Sequence, residues 1–224
     1  LTFAGETWTF AQLNARSSQT ACALRAAGVG VGDRVALLTK NCAECFELMF
    51  ACNKIGAILT GLNWRLAPAE IQSIVADAMP TVIITSPEEA HLLTPTAQQQ
   101  AGVRHLITLG EPYQQWRVSA GDTDPGHEGA PDEVALLLYT SGTTGHPKGA
   151  VHTQSGLLAN AKASLEAHEF KSTDIVLSTL PLFHVGGLCI QTLPALLAGV
   201  SVHLHPRFDA DAWLSDVSTA EPEE

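Results

Sequence analysis

Short apolar runs alternate with amphipathic segments along most of this chain, and this alternation restricts its possible folds more than any other feature. Strands separated by helices pair in parallel, because each intervening helix returns the chain to the same edge of the sheet. The pattern therefore predicts an α/β fold of layered, parallel-rich sheets with flanking helices, and ligands at the carboxyl ends of the strands. The predicted strands are DRVALLT (33–39), AILTGL (57–62), TVIITS (81–86), HLITLG (105–110), EVALLLYT (133–140), DIVLSTL (174–180) and VSVHLH (200–205).

Local signals predict where several helices begin and end. Thr9 with Gln12 forms a capping box, which opens a helix that stops near Gly28. Asn41 with Glu44 predicts a similar cap for a second helix, which ends before Gly56. Further helices are predicted over 68–78, opened by its proline, after the loop at 139–150, and around 187–198.

Residues 111–133 interrupt the alternation. The segment EPYQQWRVSAGDTDPGHEGAPDE is polar, contains several glycines and prolines, and shows no sustained period. We therefore expect a surface connection between a first α/β portion over 1–110 and a second over 134–224, both parts of one domain.

Charge and composition limit the possible partners and compartments. The formal net charge is −11, from 23 acidic and 12 basic residues, and no Lys/Arg cluster interrupts it, so nucleic acid and anionic membranes are not expected partners. No apolar run approaches the roughly 20 residues of a transmembrane helix. The N-terminus lacks the pattern of a secretory signal, so we expect a cytoplasmic protein. Five unevenly spaced cysteines argue against a secreted disulfide framework.

A loop with little side-chain bulk follows the fifth predicted strand. Nine of the twelve residues in YTSGTTGHPKGA (139–150) are Gly, Ser, Thr, Ala or Pro. Glycines allow close backbone approach, hydroxyls donate hydrogen bonds, and a lysine adds positive charge ahead of a predicted helix, which together favour a phosphate site over a plain glycine-rich turn. The hydroxyls belong to Thr140, Ser141, Thr143 and Thr144, the ammonium to Lys148, and the glycines are Gly142, Gly145 and Gly149.

The same loop does not fit the Walker pattern. Counted from Gly142, that pattern requires glycine where Pro147 stands, and Ser or Thr where Gly149 stands. A kinase or GTPase is therefore not favoured.

YTSGTTGHPKGA resembles the signature loop of the adenylate-forming (AMP-binding) enzymes, which include acyl-CoA synthetases, firefly-type luciferases and peptide-synthetase adenylation domains. Three further segments resemble the same family, so the resemblance covers most of the chain: TWTFAQLNARSSQTACALRAAGVGVGDRVALL, KIGAILTGLNWRLAPAEI and LPLFHVGGL (180–188). The resemblance implies the large N-terminal domain of an enzyme that uses ATP, Mg²⁺ and coenzyme A. Its reaction converts a carboxylic acid into an acyl-adenylate and then into a CoA thioester.

The resemblance also implies roles for individual residues. LNWRL (62–66) and LFHVGG (182–187) are more similar to fatty or aromatic acyl-CoA ligases than to peptide synthetases, so a medium- or long-chain or aryl acid is favoured. His184 would then lie between the acyl pocket and the adenylate, and Gly186 and Gly187 would leave room for the acyl chain. The residues implied to hold the β- and γ-phosphates are Thr140, Ser141, Gly142, Thr143, Thr144, Gly145 and Lys148.

The family's later motifs do not occur in these 224 residues. They include the acidic Mg²⁺ motif, the ribose-binding aspartate, the hinge, and the C-terminal domain with its catalytic lysine, which none of Lys40, Lys54, Lys162 or Lys171 resembles in context. We therefore expect an N-terminal fragment that is inactive alone, contains no catalytic or metal-binding residue, and has the missing C-terminal domain as its partner. The alternatives are a non-catalytic nucleotide- or phosphate-binding module and a peptide-synthetase adenylation domain.

Three cysteines near one helix allow two interpretations. Cys42 and Cys45 form a C-x-x-C at a predicted helix start, and Cys52 follows seven residues later on a similar face. Helix N-termini lower thiol pKa values, which makes redox or zinc chemistry conceivable. A structural zinc site needs four ligands and no second pair follows, so buried packing is expected.

Other side chains also have an ordinary interpretation beside a functional one. His203 and His205 point to the same side of a predicted strand, where they could bind a metal or form a normal sheet face. His152 could contact the ligand or cap the following helix. For Trp64 and Arg65 we expect packing, with the arginine stem buried.

Overall fold

The computed structural model describes residues 1–95, 102–140 and 147–220. Within them the strands form two parallel-rich sheets, which confirms the predicted α/β class. The inner strands of the larger sheet have the apolar composition that suits a buried sheet. The strands are β1 (Thr2–Phe3), β2 (Glu6–Thr7), β3 (Arg34–Leu38), β4 (Ile58–Leu62), β5 (Val82–Thr85), β6 (His105–Thr108), β7 (Val134–Thr140), β8 (Lys148–Thr153), β9 (Ile175–Ser178) and β10 (Ser201–Leu204).

The helices flank these sheets. Thr9 and Gln12 form the predicted capping box, and Pro68 opens its helix as expected. A 3₁₀ turn covers Ala90–Leu92, and a π-helical turn, Gly186–Thr192, runs directly into the sixth α-helix. No helix in the described ranges is both long enough and apolar enough to cross a bilayer. The helices are α1 (Phe10–Ala26), α2 (Glu44–Asn53), α3 (Pro68–Ala78), α4 (Glu111–Val118), α5 (Gln154–His168), α6 (Leu193–Leu197) and α7 (Ala210–Ala220).

The strand order mixes distant parts of the chain. In the described residues the larger sheet runs β6-β5-β3-β4-β7-β8 and the smaller runs β2-β1-β10-β9. Each sheet therefore takes strands from both sides of 111–133, so the border between the sheets does not coincide with the predicted division of the chain. Whether 1–110 and 134–224 act as separate portions remains a prediction.

The central strand β3 shows how the core is built. Val35 and Leu37 point into one buried cluster that also holds side chains of α1, α2 and the smaller sheet. Ala36 and Leu38 point the other way, against α3. Both faces of a central parallel strand are thus covered, which explains its unbroken apolar run.

Residues 111–118 correct one prediction, because they form α4 rather than an irregular connection. Tyr113 is fully buried, and its hydroxyl donates to Glu47 Oε1 at 2.5 Å. Arg16 Nε reaches the other oxygen of the Glu47 carboxylate at 2.7 Å. This buried polar network links α4 to α1 and α2, and a helix so short shows too little periodicity to be predicted from sequence.

Two further predictions about helix starts are wrong. Ala43, whose side chain cannot accept a hydrogen bond, occupies the N-cap of α2, so Asn41 and Glu44 form no cap there. The loop at 139–150 is followed by β8, which pairs antiparallel with β7, and not directly by a helix. The sheet recruits β8 because its residues complete the hydrogen bonds of β7, a tertiary requirement that local helix signals do not reveal.

Candidate functional site

The carboxyl ends of the two sheets meet at Asn41, which follows β3. Its Nδ2 group donates to the carbonyl oxygens of Leu180 at 2.9 Å and His205 at 3.0 Å. Its Oδ1 accepts from the backbone N–H of Leu182 at 2.8 Å. One buried amide therefore holds the segment after β9 and the end of β10 against the larger sheet. The expected ligand edge of an α/β fold is thus assembled from both sheets.

An apolar crevice opens beside this amide, between the larger sheet and the segment that follows β9. Gly61 is required in its wall, because a Cβ atom there would lie 3.1 Å from the Phe183 Cα atom. Six of the twelve lining residues are leucines, so the wall of the crevice is mainly apolar. The crevice is lined by Leu37, Thr39, Lys40, Asn41, Cys45, Leu59, Gly61, Leu136, Leu138, Leu182, Phe183 and Leu188.

Cationic side chains stack on aromatic rings near the same edge. The Arg65 guanidinium lies 5.0 Å from the centre of the Trp64 ring and 5.8 Å from that of Phe183. Lys40 Nζ lies 5.5 Å from the centre of the Trp64 ring. The same ammonium lies 3.4 Å from Glu89 Oε1. Trp64 packs as expected, but the Arg65 side chain is exposed and its charged group covers the rings.

On the two sides of the glycine-rich loop, Thr140 and Lys148 lie next to each other. Thr140 ends β7 and Lys148 begins β8, and the two are paired across the ladder. The Thr140 hydroxyl donates to the Lys148 carbonyl at 3.4 Å, and both residues are exposed. Their hydroxyl and ammonium groups therefore lie at the carboxyl edge of the larger sheet. The remaining predicted phosphate-binding residues, Ser141, Gly142, Thr143, Thr144 and Gly145, lie outside the described residues.

Tyr139 fixes the end of β7 beside this loop. Its hydroxyl donates to Asp77 Oδ2 in α3 at 2.5 Å. Burial, together with that carboxylate, raises the pKa of Tyr139 well above its usual range, so the phenol stays protonated as a donor. Gly149 lies opposite, and a Cβ atom there would come within 2.9 Å of Leu137 Cδ1 and 3.3 Å of the Tyr139 ring. A larger residue at this position would therefore have to displace the Leu137 and Tyr139 side chains.

The predicted acid-binding residues follow β9. His184 is exposed, so it is not a core histidine. Its Nδ1 accepts from the Gly186 N–H at 3.1 Å, which places the proton of a neutral ring on Nε2 and leaves that nitrogen as a donor. Gly187 is buried, and a Cβ atom there would lie 2.5 Å from the Leu180 carbonyl oxygen and 2.4 Å from that of Pro181. The space beside Gly187 is thus filled by the protein's own backbone.

The cysteines of the C-x-x-C segment are buried, as the packing interpretation predicted. The pKa of Cys42 is raised well above its usual range. The largest cause is a hydrogen bond with Cys45, and burial is the second. Burial alone raises the pKa of the Cys52 thiol to about 12. The Cys42 and Cys52 thiols are therefore protonated at neutral pH, which argues against redox reactivity of these two residues.

His152 lies in β8 and does not cap α5. Thr153 takes that position, and its hydroxyl accepts from the Gly156 N–H at 3.1 Å. His152 Nε2 is buried and has no hydrogen-bond partner among the described residues. Burial lowers the pKa of His152, because the charged imidazolium is disfavoured there. A ligand contact by this side chain remains a prediction.

Sequence reasoning missed the role of Asn41, whose side chain makes three hydrogen bonds to backbone groups at this site. Asn41 was interpreted as a helix cap because an asparagine three residues before a glutamate has that signature. Its position directly after a buried strand was the other available signal, since ligand-edge residues follow the carboxyl ends of strands.

The chain is similar to known proteins over nearly its whole length. The family model described as "AMP-binding enzyme" matches residues 1–223. The chain is 42% identical over 210 residues to the indoleacetate–CoA ligase of Aromatoleum aromaticum, which covers 91% of the chain and 41% of that ligase. It is 39% identical over 219 residues to a feruloyl-CoA synthase of an Amycolatopsis species, covering 95% of the chain and 42% of the synthase.

Solved structures agree with these sequence relatives. ATP-bound MatB from Rhodopseudomonas palustris superposes with a TM-score of 0.88 at 29% identity, over 96% of the chain and 43% of that protein. The chain therefore spans about two fifths of the length of the curated relatives described above.

Proposed function

Because this chain belongs to the AMP-binding enzyme family, we propose that the protein containing it is an acid–thiol ligase, an acyl-CoA synthetase. In the first step a carboxylate oxygen of the substrate attacks the α-phosphorus of ATP. An acyl-adenylate forms and pyrophosphate leaves. In the second step the coenzyme A thiol, having lost its proton, attacks the acyl carbon, and AMP leaves.

One observation carries the proposal: in the β7–β8 pairing Thr140 and Lys148 lie opposite each other at the same edge of the sheet. We propose that their hydroxyl and ammonium groups bind the β- and γ-phosphates of ATP together with residues 141–145. Negative charge accumulates on the departing pyrophosphate, so fixed donors and a cation at this position would stabilise the transition state. The apposition of Thr140 and Lys148 supports this role because it brings both ends of the loop to one place.

We further propose that the acid is an aryl acid, ahead of a medium- or long-chain fatty acid. The names of two relatives at 42% and 39% identity refer to indoleacetate and ferulate, which are both aryl carboxylic acids. The exposed His184, with Nε2 free to donate, is suited to contact the carboxylate or the adenylate. Gly186 beside it is half-buried and adds no side chain to that approach.

Mg²⁺ belongs to the proposed activity, but the described residues do not fit a site for it. Mg²⁺ prefers oxygen ligands in an octahedral arrangement. Within the described ranges, three potential ligands meet at His203, His205 and Asp216, and two of those three ligands are imidazoles. The cytoplasmic location expected from the sequence also remains a prediction.

Hydroxamate trapping tests the activity directly, since hydroxylamine intercepts an activated acyl group. We expect signal from the full-length protein with ATP and acid, and none from the 224-residue chain alone, because relatives are more than twice as long. Activation by the short chain would contradict the expected dependence on the C-terminal domain. If neither protein activates an acid while both bind ATP, a nucleotide-binding module is the better interpretation.

A panel of acids in ATP–pyrophosphate exchange tests the substrate class. We expect indole- and phenylpropenoid-type acids to support faster exchange than fatty acids of eight to sixteen carbons. A clear preference for an amino acid would instead indicate a peptide-synthetase adenylation domain.

A further inference from the structure

Two histidines converge on one carboxylate at the face of β10 that points away from the core. Val202 and Leu204 are 1% and 2% exposed in the main cluster. Because side chains alternate along a strand, His203 and His205 lie on the opposite face. Asp216 Oδ2 in α7 lies 2.7 Å from His205 Nε2 and 3.4 Å from His203 Nδ1.

Local structure holds α7 over this face. The carboxylate of Asp209 accepts a hydrogen bond from the Ala212 N–H at 3.1 Å, which caps the first turn of the helix. The Trp213 N–H donates to the Asp209 carbonyl at 2.9 Å. Asp216 follows one turn after Trp213 and so returns to the strand that precedes the helix. His203 is therefore positioned by the strand β10, His205 by the residue position that directly follows it, and Asp216 by a capped helix.

The donor set matches a transition-metal site. The three ligand atoms lie within 4.8 Å of one another. Tetrahedral zinc with bonds of about 2.0–2.1 Å separates its ligand atoms by about 3.4 Å, so small side-chain rotations would complete the geometry. Imidazole nitrogens are borderline ligands, so two of them beside one carboxylate oxygen favour Zn²⁺ and its neighbours over Mg²⁺ or Ca²⁺.

The surroundings leave room for a further ligand. The His205 side chain is 10% exposed, whereas those of His203 and Asp216 are 35% and 25% exposed. The cluster is thus anchored on its buried side and open to solvent on the other. An ion could enter from that side and keep a water molecule as its fourth ligand.

We propose that His203, His205 and Asp216 bind one Zn²⁺ or a similar divalent transition-metal ion. The ion fastens α7 to β10 and has no part in the acid-activation chemistry. It also steadies the ligand edge of the sheets, because the backbone carbonyl of His205 accepts a hydrogen bond from Asn41 Nδ2 at 3.0 Å. This inference rests on the geometry alone and holds whichever reaction the protein catalyses.

Cobalt titration of the full-length protein, without nucleotide or Mg²⁺, tests the proposal. We expect one Co²⁺ to bind with the visible bands of a four-coordinate nitrogen–oxygen site and without a thiolate charge-transfer band. His205→Gln and Asp216→Asn should each weaken binding at least about tenfold, because each removes a ligand. His105→Gln is the matched control, since that side chain is exposed on β6 and outside the cluster.

A second readout separates lost ligands from lost folding. Asp216→Asn keeps the shape of the side chain and an acceptor for an imidazole N–H, so circular dichroism should match the wild type. At the same concentration Zn²⁺ should raise the Tm of the wild type more than that of Asp216→Asn. If His205→Gln unfolds, the metal affinities of His203→Gln and Asp216→Asn are compared with that of the wild type instead. Absence of binding, a thiolate band, or equal affinity in Asp216→Asn would overturn the proposal.

Discussion

Asn41 Oδ1 accepts a hydrogen bond from the Leu182 backbone N–H at 2.8 Å, across 141 residues of sequence. The contact joins the end of β3 in the larger sheet to the segment after β9 in the smaller one. The Asn41 side chain donates to two carbonyl oxygens at the same time, so its amide cannot be exchanged for a group that only accepts.

Asn41→Ala and Asn41→Asp separate this role from that of a helix cap. The alanine variant leaves buried backbone groups of three residues unpaired, and we expect a loss of about 3 kcal/mol in the free energy of unfolding. The aspartate variant should be at least as unstable, because a carboxylate would face the carbonyl oxygens of Leu180 and His205. Urea denaturation measures both. A stable Asn41→Asp protein would favour capping, because aspartate is a good N-cap.

Gly187→Ala should destabilise the protein strongly. The added methyl group would lie within about 2.5 Å of two backbone carbonyl oxygens, which cannot move as a side-chain tip can. We expect a loss of about 3 kcal/mol, or failure to fold. Gly30→Ala is the control, because a methyl group there meets only Asp33 Oδ2, at 3.7 Å. Similar urea midpoints for the two variants would contradict the packing at Gly187.

Lys148→Ala tests the proposed phosphate role. In the full-length protein we expect pyrophosphate exchange to fall by roughly 10²–10³-fold, the usual effect of removing one donor from a site of developing negative charge. Circular dichroism and Tm should not change, since the side chain is exposed. Lys162→Ala, exposed on α5, should keep normal exchange. Exchange at the wild-type rate in Lys148→Ala would remove the role given to this lysine.

The thiols should react at very different rates in the native protein. Cys22 is half-buried, whereas the other four cysteines are buried. With its pKa raised to about 12, Cys52 has a thiolate fraction about a thousandfold below that of an ordinary thiol of pKa 9 at the same pH. Alkylation at pH 8, followed by mass spectrometry, should therefore modify Cys22 first. Equally fast modification of Cys42 or Cys45 would support the reactive interpretation of the C-x-x-C segment.

His152 should contribute to acid sensitivity. Burial lowers its pKa in the folded protein, so between its folded and unfolded pKa values the unfolded chain binds more protons. Stability attributable to this residue is therefore complete above about pH 6.5, the unfolded value, and falls as the pH drops through it. His152→Gln should lose less stability than the wild type between pH 8 and pH 6, measured by urea denaturation. Equal losses in the two proteins would contradict the effect of burial.

Much of the architecture could be predicted because its signals are local. Thr9 and Gln12 are three residues apart, and they form the capping box of the helix whose start they predict. Pro68 likewise begins the helix that it was expected to open. The seven predicted strands occur near their expected positions because each is a contiguous apolar run. The glycine-rich loop indicated the family for the same reason, since its chemistry is concentrated in twelve adjacent residues.

Predictions failed where a residue's partner is remote in sequence. The helix around Tyr113 was missed because its main anchor is Glu47, 66 residues away, and its own sequence is mostly polar. The strand β8 was not predicted, and a helix was expected directly after the loop. Only the pairing of these residues with β7 makes them a strand. The meeting of Asp216 with two histidines of β10 likewise depends on how α7 folds back, which the alternation along β10 does not specify.

The sequence by itself determined the position of seven strands and several helices, the loop chemistry and the family, because contiguous residues encode them. Only the tertiary structure decided which strands share a sheet, that Asn41 joins the two sheets, and that Thr140 and Lys148 stand side by side. The physical reason is that buried polar groups need partners, and in a folded chain the nearest partner is set by packing and not by distance along the sequence.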